Sequence, residues 1–526
     1  MTADPAITRN SLHNRIYIAS LCLIAIFLPS SRWLLTVSEI ILAANWLAEG
    51  DFRSKFTRLR ADRAAIALIL IYLLNVLGLT WSSDPGYGLR HDLLHKLPTL
   101  FLPLIVATAA LPDRKTTRQI LWLFISSVFV VSLTGFIRTQ TDPLLSYREA
   151  SPFIPGIYFG LMVIIAAFQL MMMAWEIRKK GILFAASLVG VVWLIFFLFY
   201  LRALSGVAAF AVAMSWLTVT LASRSRSYLV KIAVPAGFVA LALLVLWPMA
   251  GIYRRTHAEN PVALRSLDSL SAAGTPYIHD TNNIIRENGN LVYVWIADGE
   301  LREAWNASSS LDYDGSDLAG QELRATLFRY MSSLGLRKDR EDFIKLSARD
   351  IAAVESGITN HLNVDRPGFY IRAYEEMMSL YLYEKSSGQM TDWGSLTKRI
   401  DLWKASWEAF RERPFLGWGT GSILQAVEHG LQKNGSAQAG LNMKPHSQYL
   451  FILLTLGTAG LIITIILYAF FVIEKKAYKS LMFILFLIVF LVNFTGNNSL
   501  ESQPGQDLFV FLSLICAYFA TPADLR

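Results

Sequence analysis

Only two cysteines, Cys22 and Cys516, occur in the 526 residues, and both lie in apolar stretches near the two ends. That excludes a disulfide framework and any cysteine-based zinc site. Charge is scarce as well: Asp, Glu, Lys and Arg make up 17% of the chain, against roughly 25% in an ordinary soluble domain. No run of lysine and arginine is interleaved with aromatic residues to form a base-stacking surface, so the net charge of +8 does not point to nucleic acid. His257, His279, His361 and His429 show no paired spacing, and His446 has no His or carboxylate at ligand spacing, so no metal is expected. No internal repeat is evident.

What the chain does have is hydrophobic length. Apolar residues make up 54% of it and the mean hydropathy is +0.41. Runs long enough to cross a bilayer as helices fall at 16–30, 33–49, 64–82, 97–111, 118–137, 153–175, 181–200, 204–222, 229–250, 447–472, 479–494 and 507–521, twelve in all, with 97–111 and 479–494 the shortest. The polar stretch Met1–Arg15 before the first run resembles a signal peptide, but Ser30-Ser31-Arg32 leads straight into another span, so an uncleaved first helix is expected. Every second loop is basic: Arg53, Lys55, Arg58, Arg60 and Arg63; Arg114, Lys115 and Arg118; Arg178, Lys179 and Lys180; Arg224, Arg226 and Lys231; Lys475, Lys476 and Lys479. Basic loops stay in the cytoplasm. Both termini are therefore expected there, and the polar segment from about Tyr253 to Pro445 on the other side.

That segment is too long for an unstructured connection. Helices are expected at Gln321–Leu334, Ala348–Asn360 and Pro367–Glu384, followed by Ser395–Arg411, rich in aromatic and basic residues, and the turn-rich Pro414-Phe415-Leu416-Gly417-Trp418-Gly419-Thr420-Gly421. The expected fold is an all-α polytopic membrane helical bundle with a large helical loop between spans nine and ten. It divides into 1–252 (spans one to nine), 253–446 (an external helical lid that carries the chemistry) and 447–526 (spans ten to twelve).

The spans are nearly free of charge, so the exceptions stand out. Glu39 lies six residues beyond Trp33, about 9 Å into the membrane at roughly 1.5 Å per residue; it either pairs with a neighbouring helix or serves a function. Arg148, in Ser146-Tyr147-Arg148-Glu149, and Arg202, in Tyr200-Leu201-Arg202-Ala203-Leu204-Ser205-Gly206, sit at outer span ends against the positive-inside bias. Either they snorkel to water and lipid phosphate or they hold an anionic ligand. Arg399 lies ahead of Trp403, and His446 follows Lys444-Pro445 at the mouth of a span. An interfacial histidine is common, yet histidine is also the usual general base near neutral pH, and arginine presents a planar fork of donors to phosphate oxygens.

At these residues the sequence resembles the O-antigen ligase/polymerase superfamily of bacterial membrane glycosyltransferases. The resemblance is carried by Arg399, Trp403, Ala405, Pro414 to Gly421, Pro445-His446-Ser447-Gln448-Tyr449-Leu450 and Leu456-Gly457-Thr458-Ala459-Gly460, preceded by Arg202 and its small-residue helix. It is close over 200–222 and 395–462; Leu201 departs from it, standing where relatives often place serine. The resemblance implies a GT-C-like bundle in the bacterial inner membrane that takes a glycan from undecaprenyl pyrophosphate and joins it to an acceptor hydroxyl, for a ligase a sugar of lipid A–core. It implies no cofactor or metal, His446 as base, and Arg202 and Arg399 at the leaving pyrophosphate. Arg148 and Lys444 are further candidates for that anion, and Glu39 and Glu501 for orienting His446 or the acceptor. The readings left open are an O-antigen ligase, a polymerase or protein O-oligosaccharyltransferase using the same donor, and a flippase or other transporter of lipid-linked glycans.

Overall fold

A backbone amide in lipid finds no water, so an apolar run must close its hydrogen bonds within itself, and it does so as a helix. In the computed structural model, which describes residues 5–142, 147–260, 267–386, 388 and 394–518, each of the twelve apolar runs contains a helix. Six of them are long and apolar enough to cross a membrane on these grounds alone: Arg63–Trp81, Arg114–Thr141, Gly156–Glu176, Gly181–Tyr200, Leu204–Arg224 and Gln448–Glu474. The short run at 97–111 forms Pro98–Thr108, extended backwards through Leu94–Lys96 and a π-helical turn at Gly88–Leu93. Helices start where a small polar side chain takes up an unbonded amide. Ser31 accepts from Leu34 N, Asp62 from Ala65 N, Asp113 from Thr116 N and Ser480 from Phe483 N.

The chain divides into two compact units, one made of the residues up to Lys231 together with those from Arg399 on, the other of Ile232–Lys398. The boundary thus falls at Arg399, and the stretch from Arg399 to His446, expected with the external lid, packs with the bundle. In the bundle, Gly156–Glu176 packs on Gly181–Tyr200, Leu204–Arg224 on Leu481–Gly496, and Arg63–Leu77 on Gln448–Glu474. Phe159, Phe197, Phe483 and Phe490 are among the side chains buried between them.

The second unit has its own core around Trp305, Tyr313, Tyr330 and Tyr374. Its helices Leu323–Ser333, Ala348–Glu355 and Gly368–Lys385 match expectation, the second stopping early because Gly357 turns the chain at φ +81°. Asp298–Ser308 and the hairpin of Arg286–Glu287 with Asn290–Leu291 were not expected. Glu287 is the polar centre of this core: it pairs with Arg329 at 2.7 Å and accepts from Asn360 at 2.8 Å and from the Tyr374 hydroxyl.

One junction in the bundle fixes the position of the helix after His446. Gln448–Glu474 is broken at Gly457, with φ +67° and ψ −171°, a region open essentially to glycine alone. The Pro414–Gly421 loop fills the break with backbone hydrogen bonds: Trp418 N donates to Leu454 O at 2.6 Å, Gly419 N to Thr455 O at 2.9 Å and Thr458 N to Pro414 O at 2.8 Å. Gly417, Gly419 and Gly421 all have positive φ, and a Cβ on Gly421 would sit 2.3 Å from Asp84 O. The loop is held from its other side by Thr420, which donates through N to Gly78 O at 3.0 Å and through Oγ1 to Asn75 O at 2.7 Å. A Cβ on Gly457 would lie 2.1 Å from Phe415 O, whereas one on Gly496 meets nothing within 4 Å. Gly457→Ala is therefore expected to cost at least about 1–3 kcal/mol from the backbone alone. A thermal unfolding scan should show its midpoint well below that of wild type and of Gly496→Ala; equal midpoints for the two variants would refute the argument.

Candidate functional site

Arg202 and His446, singled out from sequence, share an uncommon backbone. Both are non-glycine residues at positive φ, +50° and +48°, as are six others among the described residues. Such a conformation is held only where the surroundings fix it. Arg202 occupies the three-residue connection between Gly181–Tyr200 and Leu204–Arg224. His446 occupies a bend between Pro445 and Ser447, just before the helix Gln448–Glu474.

A small polar relay ties Arg399 to the Arg202 turn. Arg399 Nη2 donates to Asn497 Oδ1 at 3.3 Å, and Asn497 Nδ2 donates to Ser205 Oγ at 3.3 Å. Asn497 is buried, and its backbone N bonds to Asn493 O at 2.9 Å as Leu481–Gly496 ends. One amide side chain thereby connects the helix Ser395–Glu412, the end of Leu481–Gly496 and the first turn after Arg202.

The residues after His446 are clamped to the same segment. Ser447 Oγ donates to Phe494 O at 3.3 Å, Gln448 Nε2 to Glu501 Oε1 at 2.8 Å, and Leu500 N to Gln448 Oε1 at 2.9 Å. Glu501 also forms an ion pair with Lys96 at 2.9 Å, the two side chains being 1% and 10% exposed. Lys96 Nζ stands 4.9 Å from the centre of the Phe451 ring and Lys444 Nζ 5.8 Å from it. Beside them Asp92, also buried, accepts from Gly421 N at 3.0 Å. Burial pushes the Asp92 carboxyl up, against the opposing pull of Lys96.

His446 lies in the loop ahead of its helix, partly buried. Burial, then the charges of Arg399 and Lys444, hold its imidazole below the ordinary histidine pKa. A neutral imidazole beside two cations can accept a proton from a hydroxyl, while the cations attract an anion to the same place.

Glu39 is also buried, on Arg32–Glu49, with its carboxyl against Asp507 and Gln503 of the neighbouring helix Gln503–Tyr518. Glu501 reaches the His446 region through Gln448, not through a contact with the imidazole. Arg148 lies in the turn Tyr147–Ala150, and its side chain lies outside the described residues. Among the described residues no three His, Cys, Asp or Glu side chains cluster as metal ligands.

Asn497, Lys96 and Asp92 escaped the sequence reading. Asn497 offers no signal of its own among the polar residues of Asn497-Asn498-Ser499. Lys96 and Arg90 carried one: they fall in a connection on the same side as Arg202, against the same positive-inside bias that drew attention to Arg202.

Helices of this number and apolarity make the chain an all-α polytopic membrane protein. Residues 357–465 match the family model described as O-antigen ligase, which supports that family for this chain. The matched stretch includes Arg399, Lys444, His446, the Pro414–Gly421 loop and Gly457; Arg202, Lys96, Asn497 and Glu501 lie outside it. The family joins ligases and polymerases of the glycosyltransferase kind in bacterial membranes, so a membrane enzyme of glycan transfer is the coarse assignment. No curated protein matches the chain.

The Lys96–Glu501 pair gives a direct test of what holds the site. Lys96→Met leaves a buried carboxylate without its cation and is expected to cost roughly 3–5 kcal/mol. Adding Glu501→Gln, which keeps an acceptor for Gln448, should recover part of the loss. Chemical-denaturant or thermal midpoints of the two variants check this, and a double variant no more stable than the single one would count against the pair.

Proposed function

We propose that the protein is an O-antigen ligase, transferring a glycan from undecaprenyl pyrophosphate to a sugar hydroxyl of lipid A–core at the periplasmic face of the bacterial inner membrane. The observation that carries the reading is the linkage of Arg399 through Asn497 to the Arg202 turn, with His446 within the field of Arg399 and Lys444.

In this reading the acceptor hydroxyl attacks the anomeric carbon as His446 takes its proton. The new bond joins the acceptor oxygen to that carbon, and the bond from the carbon to the pyrophosphate oxygen breaks. The departing pyrophosphate carries the electron pair away as a stable anion, so no general acid is required. Arg202 and Arg399 take up the charge developing on it, where partial exclusion of water makes each donor count for more. Arg148 and Lys444 serve the same anion, and Glu501 acts on the site by fixing Gln448. Direct displacement inverts the anomeric centre. The step uses no cofactor and no metal.

Purified protein given undecaprenyl-pyrophosphate glycan and rough lipopolysaccharide tests the proposal, with and without chelator. Transfer to the lipopolysaccharide supports the ligase, lengthening of the lipid-linked glycan alone makes the enzyme a polymerase, and loss of activity in chelator contradicts the metal-free step. His446→Ala should lower the rate by about 10²–10⁴; unchanged transfer would remove His446 from the chemistry.

The lowered imidazole pKa adds a pH prediction. The neutral form is the base, so kcat/KM should stay level as pH falls through the ordinary histidine range and decline only below it. Lys444→Ala removes a cation that disfavours protonation, so its acid limb should move to higher pH. A limb that stays in place or moves the other way contradicts the assignment of the limb to His446.

A further inference from the structure

A cavity in the bundle lies away from this site, at the other ends of the helices. It holds about 940 Å³ between Arg114–Thr141, Gly156–Glu176, Leu204–Arg224, Leu481–Gly496 and Gln503–Tyr518. Leu481–Gly496 has 16 residues, so its two ends stand about 24 Å apart at roughly 1.5 Å per residue. Asn497 follows one end and the cavity opens at the other.

The cavity is lined unevenly. Four cations stand at its mouth, Arg114, Arg118, Arg224 and Lys479, against a single carboxylate, Glu176. Arg118 pairs with Glu176 at 3.0 Å, and both side chains remain partly exposed. Inside, the wall turns apolar, with Met172, Met214, Leu217 and Ile515 among its residues. A buried amide also lies within that wall. Gln169 is 3% exposed, and neither atom of its amide has a hydrogen-bond partner. It sits two turns inside Glu176 on the same helix. A buried amide without a partner costs on the order of 1–3 kcal/mol, so a ligand that bonds to it gains that contact in addition to the apolar burial.

A basic mouth, an apolar interior and a hydrogen-bonding group between them match the parts of one molecule in order. We propose that this cavity is a binding site for an anionic phospholipid of the cytoplasmic leaflet. The phosphate lies among Arg114, Arg118, Arg224 and Lys479, Gln169 bonds to an ester oxygen, and an acyl chain fills the methionine- and leucine-lined interior. Basic pockets between spanning helices on the cytoplasmic side select such headgroups, and the alternation of basic loops puts this end of the bundle there. Inorganic phosphate would match the mouth alone, leaving the interior empty and Gln169 without a partner. A zwitterionic lipid would match the interior but bring a cation of its own to a mouth already positive.

Native mass spectrometry of the full chain, delipidated in a neutral detergent, tests the proposal with phosphatidylglycerol and phosphatidylcholine of identical chains. Phosphatidylglycerol should be retained at least about tenfold better. The Arg114→Gln, Arg224→Gln double variant should lose that preference, and Leu217→Trp, which fills the interior, should weaken retention of the lipid itself. Equal retention of the two lipids would overturn the proposal. So would full competition by inorganic phosphate at concentrations comparable to the lipid, or wild-type retention by both variants. Because a variant could fail to fold, a diazirine-bearing phosphatidylglycerol is added to the wild-type protein. Its crosslinks should fall within Gly156–Glu176 near Gln169, and crosslinks spread evenly over the outer helix faces would equally overturn the site.

Discussion

Backbone hydrogen bonding between the Pro414–Gly421 loop and the interrupted helix at Gly457 is the constraint from which the rest of the bundle's polar end follows. A helix broken inside a membrane protein must have its freed amides and carbonyls satisfied by another part of the chain. Here the loop supplies them, with Trp418 and Gly419 donating to Leu454 and Thr455 and Thr458 donating back to Pro414. The same loop reaches Gly78 and Asn75 through Thr420, and Asp92 through Gly421. Three segments distant in sequence are thereby fixed to the helix that begins two residues after His446.

Around that frame the charges are placed so that each has a stated partner or purpose. Lys96 and Glu501 neutralise one another where water is nearly absent, and Glu501 at the same time takes the amide of Gln448. Asn497 spans the gap between Arg399 and Ser205. His446 is left partly buried among cations, and that burial, followed by the cations, favours its neutral form. The positive charge that would bind an anion and the imidazole that would accept a proton are therefore consequences of one arrangement. A base surrounded by carboxylates would be protonated more readily and would repel a pyrophosphate.

Much of this was legible in the sequence because lipid imposes a simple code. Length and apolarity mark the helices, and small polar residues mark their starts, as Ser31, Asp62, Asp113 and Ser480 do. The left-handed glycines of the loop announced a turn. What stayed hidden depends on contacts between distant segments. The break at Gly457 lies inside an unbroken apolar run, and no local feature says that the helix must open there to admit a loop. Asn497 becomes informative only when Arg399 and Ser205 are brought to it. The helix Ile423–Lys433 was passed over as part of a long connection, although Ile423, Ala426, Val427 and Leu431 line one face at helical spacing and bury against Leu402 and Ala405. Asp298–Ser308 was missed for a related reason: only Leu301 and Trp305 are buried on it, too few to form a stripe that sequence alone reveals.

The most recognisable stretch of the chain, Pro414 to Gly421, is defined by missing atoms. Its glycines are required because a methyl group at Gly417, Gly419 or Gly421 would strike neighbouring backbone. Such a motif records where two pieces of main chain touch, and it carries no information about a sugar or a lipid. Two enzymes could share it letter for letter and still hand a glycan to different acceptors. Whatever tells one acceptor from another has to be written in side chains elsewhere.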